Sequence, residues 1–334
     1  MKKVLIIANY KGPIGGISGQ IEMLQKCLLQ EGYHAVLYST QGNVVNRLWL
    51  FMKLICVARC YDVLHLHGCS EWGMLPIVYG EIAGKLWRKR IIVTYHGGDA
   101  DKYFAKHGAF ARKWLKRADK VIVLNGYLDK VFAKYNIPCI VIPNIIDLPK
   151  IEHEEAKDTN AVRFISVRHL DELYNVGSII RAYEKAKQKL NGASLTILGF
   201  GPQREELEQY VREHQIADVE FVGQVSNKEI NSYLANSDIM LSAPRIDNMP
   251  VSVLEAMNAG VLVISSRVGG VPYIIDEDKT GLFFEYNNAD ELAQKMIWAA
   301  EHKREVKEMT DEAREEVKKY SWKNIRTMLL PLYE

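Results

Sequence analysis

Short apolar runs recur along this chain, each followed by a turn-forming stretch and then a helical pattern. In the first half they are Val4–Ala8, Ala35–Ser39, Val63–Leu66, Ile91–Thr94, Val121–Leu124 and Ile140–Ile142. In the second half they are Val162–Val167, Ser194–Leu198, Val219–Val222, Ile239–Ala243 and Val261–Ser265. A run that is apolar on both sides belongs to a strand buried on both faces, as in a parallel sheet covered by helices. Strand, turn and helix repeated in this order predict an α/β fold of doubly wound, Rossmann-like sheets. The polar, aperiodic stretch 149–161 divides the pattern and reads as a linker. At 334 residues the chain has the length of two domains, predicted at 1–148 and 162–315.

The formal net charge of +2 hides an asymmetry. Residues 1–150 hold 21 Lys and Arg against 10 Asp and Glu, and the remainder holds 22 against 31. The five cysteines all fall in the first half and form no CxxC pair, which argues against a disulfide framework and for a reducing cytoplasm. The opening residues Met1-Lys-Lys-Val-Leu-Ile-Ile-Ala read as a first strand rather than a signal peptide, because the apolar run ends at Asn9. No stretch reaches the roughly 18 uncharged apolar residues of a membrane span. Leu48–Ala58 comes nearest and is interrupted by Lys53.

The most informative stretch runs from Arg245 to Pro272. Asp247 falls in the loop after a buried strand, and Ser252–Asn258 reads as a helix stopped by Gly260. Glu255 therefore lies one to two turns into that helix, and both carboxylates can face the carboxyl edge of the sheet, where open α/β sheets bind ligands. The backbone amides of Asn248, Met249, Pro250, Val251 and Ser252 surround the helix start, Pro250 lacking the N–H, and favour phosphate there. Two acids beside an ordinary strand–helix crossover are the simpler alternative.

A carboxylate, seven residues, Glu255-Ala-Met, Gly260, a strand and Gly269-Gly-x-Pro272 together resemble the donor-binding motif of retaining glycosyltransferases of the GT-B fold, family 4. The resemblance implies two domains facing a cleft. Glu255 would then bind the ribose of a nucleotide sugar, and Asp247, where the family usually has Glu, would lie near the transferred sugar. It implies that Arg168 holds the donor diphosphate, helped by Arg245 or Arg267, since Tyr174-Asn175 stands where the family places a Lys. Gly199-x-Gly201-Pro202 matches the family's strand-end loop, and Tyr320-Ser-Trp322 its closing helix, so that 316–334 would cross back to the first domain.

The first half carries the acceptor-side expectations. Gly12-Pro-Ile-Gly15-Gly16-Ile-Ser-Gly19 precedes a helix at Gln20–Gln30, lets a ligand approach the backbone, and in the family lies in the interdomain cleft. The stretch is neither GxGxxG nor a P-loop, so no dinucleotide or NTP site is indicated. His96 in His96-Gly-Gly and Asn144 in Pro143-Asn144-Ile145-Ile146-Asp147 occupy family positions near the sugar or acceptor. His65 and His67 share a strand face, but a third ligand at metal-binding spacing is missing. Ala105–Lys120 reads as a basic amphipathic helix suited to an anionic membrane surface. No nucleic-acid motif accompanies it.

The expectation is therefore a retaining transferase moving a hexosyl group from a UDP- or GDP-linked sugar to a hydroxyl. The acceptor would be lipid-linked or a surface-polysaccharide precursor, met in the cytoplasm or on the inner membrane face. Asp247, Arg168 and His96 are the expected catalytic residues, with neither cofactor nor essential metal. A sugar-nucleotide epimerase of the same fold and a non-catalytic sugar-nucleotide-binding subunit are the rival readings. An oxidoreductase lacks its strand–GxGxxG–helix unit.

Overall fold

The protein is described from a computed structural model covering residues 2–10, 12, 16–151 and 161–334. The chain forms two compact units, Met1–Asp147 with Tyr320–Glu334, and Leu148–Lys319.

In the first unit β1 (Lys3–Ala8), α1 (Gly16–Gln30), β2 (His34–Ser39), α2 (Val44–Ala58), β3 (Val63–Gly68) and α3 (Leu75–Leu86) follow one another. Next come β4 (Arg90–Tyr95), α4 (Ala100–Leu115), β5 (Lys120–Val123), α5 (Gly126–Lys134) and β6 (Ile140–Val141). All strand pairs are parallel, in the order β2-β1-β3-β4-β5-β6. The strands are buried on both faces because alternate side chains enter two separate cores. Leu5, Ile7, Leu64 and Leu66 pack under α2–α5, whereas Val4, Ile6 and Val63 pack under α1.

Two boundaries differ from the sequence reading. Helix α1 begins at Gly16, not Gln20, so two glycines lie in its first turn. Helix α4 starts at Ala100, kinks at His107 (φ −126°, ψ 23°) and stops at Leu115, so the basic stretch 105–120 is not one helix. Asp119 ends it: its N–H donates to the Ile91 carbonyl and its carboxylate accepts the Ile91 N–H at 2.7 Å, which starts β5 at Lys120. Lys113 and Arg117 lie over the Trp114 ring at 5.7 and 5.2 Å, and Arg117 also faces the fully buried Glu81 at 3.8 Å. Part of the expected positive face is thereby turned back on the protein.

The second unit restarts with β7 (Arg163–Val167), α6 (Val176–Lys187), β8 (Ser194–Leu198), α7 (Arg204–Glu213), β9 (Val219–Gly223) and α8 (Asn227–Ala235). It continues through β10 (Ile239–Ser242), α9 (Val251–Ala259), β11 (Leu262–Ser266) and β12 (Leu282–Phe284) to α10 (Ala289–Glu301) and α11 (Lys303–Val317). Its parallel sheet has the order β12-β11-β10-β7-β8-β9. Strand order therefore reverses between β7 and β10, and between β1 and β3 in the first sheet. Open α/β sheets bind ligands at the carboxyl ends beside such a reversal.

From Tyr320 the chain belongs to the first unit again. Helix α12 (Trp322–Leu329) buries Ile325 and Leu329 against the α1 side of the first sheet. Its outer residues Trp322 and Arg326 both reach Glu31, at 3.0 and 2.8 Å.

Candidate functional site

Arg168 follows β7 directly, and every part of its guanidinium except two N–H groups is engaged within the unit. One terminal nitrogen pairs with Asp247 at 3.0 Å; Nε and the other donate to Ser242 Oγ at 3.3 and 2.9 Å. The Tyr174 ring lies 5.3 Å from its centre. An arginine has five donors, so two have no partner among the described residues. Asp247 therefore does more than carry charge: it orients the guanidinium. Ser242, at the end of a wholly buried strand, is a site residue that the sequence reading misses. Its signal is there, a lone hydroxyl ending an apolar run.

The glycines act on this arrangement through the backbone. A Cβ on Gly199 would stand 1.8 Å from the Arg168 carbonyl oxygen, and one on Gly201 would stand 2.2 Å from that of Leu170. Leu170 N–H donates to Phe200 O at 2.8 Å, so the loops after β7 and β8 are pressed together and fix where Arg168 emerges. Gly269 does the same for Asp247: its φ is +52°, a Cβ would meet the Asp247 carbonyl at 2.1 Å, and Gly270 N–H donates to that carbonyl at 2.9 Å. The Gly-Gly-x-Pro element thus shapes the acid-bearing loop.

Asn248, Met249 and Pro250 are buried in that loop, and Val251 starts α9. Ser252 Oγ is buried with no hydrogen-bond partner among the described residues. Gly260 ends α9 in the left-handed conformation, where the sequence reading places the stop.

Glu255, in the second turn of α9, makes no hydrogen bond with any described residue. Burial pushes its carboxyl up from 4.5 to about 7, against a smaller opposite pull from Arg168. The sign follows from proton binding. Between pH 4.5 and 7 the folded protein holds a proton that the unfolded chain releases, so this group lowers stability as pH rises through that window, and the loss is complete above it. Glu255→Gln is accordingly expected to stabilise the ligand-free protein at pH 8 by on the order of 2–3 kcal/mol and to change nothing at pH 4. Urea titrations at the two pH values check this; equal effects at both would refute it.

Of the two arginines proposed to stand in for the missing Lys, Arg267 is committed. It pairs with Glu277 and lies 4.5 Å from the Phe283 ring centre. Arg245 is exposed and its guanidinium has no partner among the described residues. Its N–H donates to Leu173 O at 2.8 Å, holding it next to Tyr174-Asn175. Arg245 and Asn175 line the same cavity of about 540 Å³.

In the first unit, His96 and Asn144 line one small pocket together with His65, His67 and Gln20. Gln20 ties α1 to the Pro-Asn loop, its side-chain amide donating to Ile145 O and accepting from Ile145 N, both at 2.9 Å. Gly16 opens the same helix one turn earlier, and a Cβ there would meet nothing within 4 Å. Gly15 lies outside the described residues. His96 Nε2 bonds to His67 Nδ1 at 2.9 Å, a pairing that spacing along the chain does not reveal. Both ring nitrogens of His65 are taken by hydroxyls, Tyr333 at 2.6 Å and Thr94 at 2.8 Å. Burial lowers His96 to about 4 and His65 to about 3, so both are neutral at pH 7.

The family described as Glycosyl transferases group 1 matches residues 147–316, and Glycosyltransferase Family 4 matches residues 24–150. An uncharacterized glycosyltransferase of Methanocaldococcus jannaschii is 24% identical over 370 aligned positions, covering 99% of this chain and 98% of the relative. The N-acetyl-alpha-D-glucosaminyl L-malate synthase of Bacillus anthracis is 25% identical across 77% of this chain and 70% of its own. Among solved structures, sucrose-phosphate synthase from Thermosynechococcus elongatus superposes with a TM-score of 0.83 at 19% identity, over 100% of this chain and 98% of that one. Anabaena HepE, in complex with UDP and glucose, does so at 0.80 and 17%, over 99% of each chain. With its two parallel six-stranded sheets and a family match across half its length, this chain belongs to the glycosyl transferases group 1 family and is a glycosyltransferase of the GT-B fold.

Proposed function

We propose that the protein moves a hexosyl group, with retention of configuration, from a UDP- or GDP-linked sugar to a hydroxyl of a lipid-linked or surface-polysaccharide precursor. The observation that carries this reading is the grouping of Arg168, Asp247 and Glu255 beside the strand-order reversal of the second sheet. In the step itself, the bond between the anomeric carbon and the diphosphate oxygen breaks. A bond to the acceptor oxygen forms, and the acceptor's proton passes to the departing diphosphate. Negative charge grows on the departing nucleoside diphosphate, and preorganised donors aimed at that charge lower the barrier.

The two free N–H groups of Arg168, the guanidinium of Arg245 and the first amides of α9 are the donors we assign to the diphosphate. With that much fixed positive charge, no essential metal is proposed. Glu255 would accept from the ribose hydroxyls, and Asp247 would keep Arg168 in register while facing the sugar. On the acceptor side, neutral His96 would supply a hydrogen bond, with Gly16 and Asn144 shaping the approach.

Thermal unfolding of the purified protein with UDP, GDP, ADP and their sugars tests the donor assignment. A ligand at a hundred times its Kd adds about 2.7 kcal/mol of stability, a readily measured rise in the midpoint. The UDP or GDP series is expected to shift the midpoint, and Glu255→Ala to abolish the shift. A well-folded protein that responds to none of them would overturn the proposal.

A further inference from the structure

Helix α2 shows solvent a stripe of large apolar side chains. Val45, Leu48, Trp49 and Met52 follow the i, i+3, i+4, i+7 spacing of one helix face, and they are 77, 65, 61 and 56% exposed. The opposite side of the helix is ordinary core, with Leu54 and Ala58 fully buried. The stripe continues onto neighbouring elements. Trp72 is exposed beside Arg47, whose guanidinium lies 5.2 Å from its ring centre. Trp87, at the end of α3, donates to the Ile55 carbonyl at 2.7 Å, joining α3 to the same surface. Soluble proteins scatter single apolar residues over their surfaces, but a contiguous patch of this kind marks a binding surface.

The charge on the helix itself has one sign, with Glu71 beside Trp72 the acid on the neighbouring turn. No Asp or Glu occurs between Glu31 and Asp62, while Arg47, Lys53 and Arg59 lie along the helix and Arg88 and Lys89 follow Trp87. A symmetric contact with a second copy would set these cations against themselves with no acid on the helix to answer them. An anionic bilayer answers both features at once: headgroup phosphates take the cations, and the apolar side chains enter the acyl boundary. No described helix is long and apolar enough to cross a membrane, so insertion would be in the plane of the interface. Asn43 caps the helix by accepting the Asn46 N–H at 2.9 Å, so this face is formed before any lipid is met.

We infer that α2, with the adjoining end of α3, is the surface by which this protein docks on an anionic lipid bilayer. The inference rests on the proposed function only in placing the acceptor at a membrane, and its test needs neither sugar nucleotide nor acceptor. The full chain is floated with vesicles of phosphatidylcholine alone and of phosphatidylcholine containing about a third phosphatidylglycerol, at low and high salt. Binding is expected to the anionic vesicles and to weaken with salt. Leu48→Gln with Met52→Gln is expected to weaken partitioning roughly tenfold, and Lys53→Glu with Arg59→Glu, both exposed, to remove the preference for anionic lipid. Both pairs are on the solvent side of the helix, so the circular dichroism spectrum and melting midpoint should not move. Failure of the unmodified chain to float, or equal flotation of the apolar variant, would overturn the inference. So would a lipid-free dimer that the apolar variant dissociates, since a second copy would then own the face.

Discussion

Arg168→Ala is expected to lower glycosyl transfer by about 10²–10³-fold, the loss seen when one preorganised donor to a developing negative charge is removed. The expectation stands on geometry. Asp247, Ser242 and the Tyr174 ring hold the guanidinium on three sides and leave two N–H groups for a ligand. Arg168→Lys keeps the charge but cannot bond Asp247, Ser242 and a phosphate together, so it should recover only a small part of the rate. Removal of the arginine also leaves Asp247 without its ion-pair partner. The melting midpoint must therefore be measured beside the rate, and turnover compared at saturating donor. A folded Arg168→Ala protein with unchanged turnover would exclude Arg168 from the diphosphate site.

The second large effect is on stability. Gly199→Ala places a methyl carbon 1.8 Å from the Arg168 carbonyl oxygen, at a φ of +145° that residues with a side chain rarely adopt. Neither atom that clashes is the end of a flexible chain, so the β7 and β8 loops must separate. Backbone strain and overpacking together are expected to cost about 3–5 kcal/mol, with Arg168 displaced and transfer lost even where the protein still folds. Gly19→Ala is the contrast. It lies in α1 with nothing within 4 Å of the added carbon, and stability should hold or rise slightly. Chemical denaturation of the two variants separates them; similar midpoints would show that the close approach at Gly199 is not a constraint.

Several of these features are legible in single stretches of the chain. The runs Val4–Ala8 and Ile239–Ala243, apolar on both sides, demand strands covered on both faces, and Gly260 marks the end of α9 simply by following the helical pattern. Local signals fail where a tertiary partner intervenes. The basic stretch 105–120 looks like one helix because its charges and aromatics are spaced like one. Yet Asp119 is claimed by Ile91 on the neighbouring strand, and pairing of β5 with β4 ends the helix early. The start of α1 escapes the sequence reading for the opposite reason: glycine disfavours helix interiors, but the first turn is the least demanding place for it.

The order of the residues alone determined the fold class, the two repeats of strand and helix, and the set of candidate acids and cations, because periodicity and turn chemistry act over a few neighbours. Only the tertiary structure decided which of those candidates are free. Arg267 is spent on Glu277, the Arg245 guanidinium has no partner among the described residues, and Arg168 is held by a hydroxyl 74 residues away. It also decided that one side of α2 stays in solvent, although the run Leu48–Ala58 is interrupted only by Lys53. Charge pairing and burial are properties of three-dimensional neighbours, and those neighbours come from segments far apart in the chain.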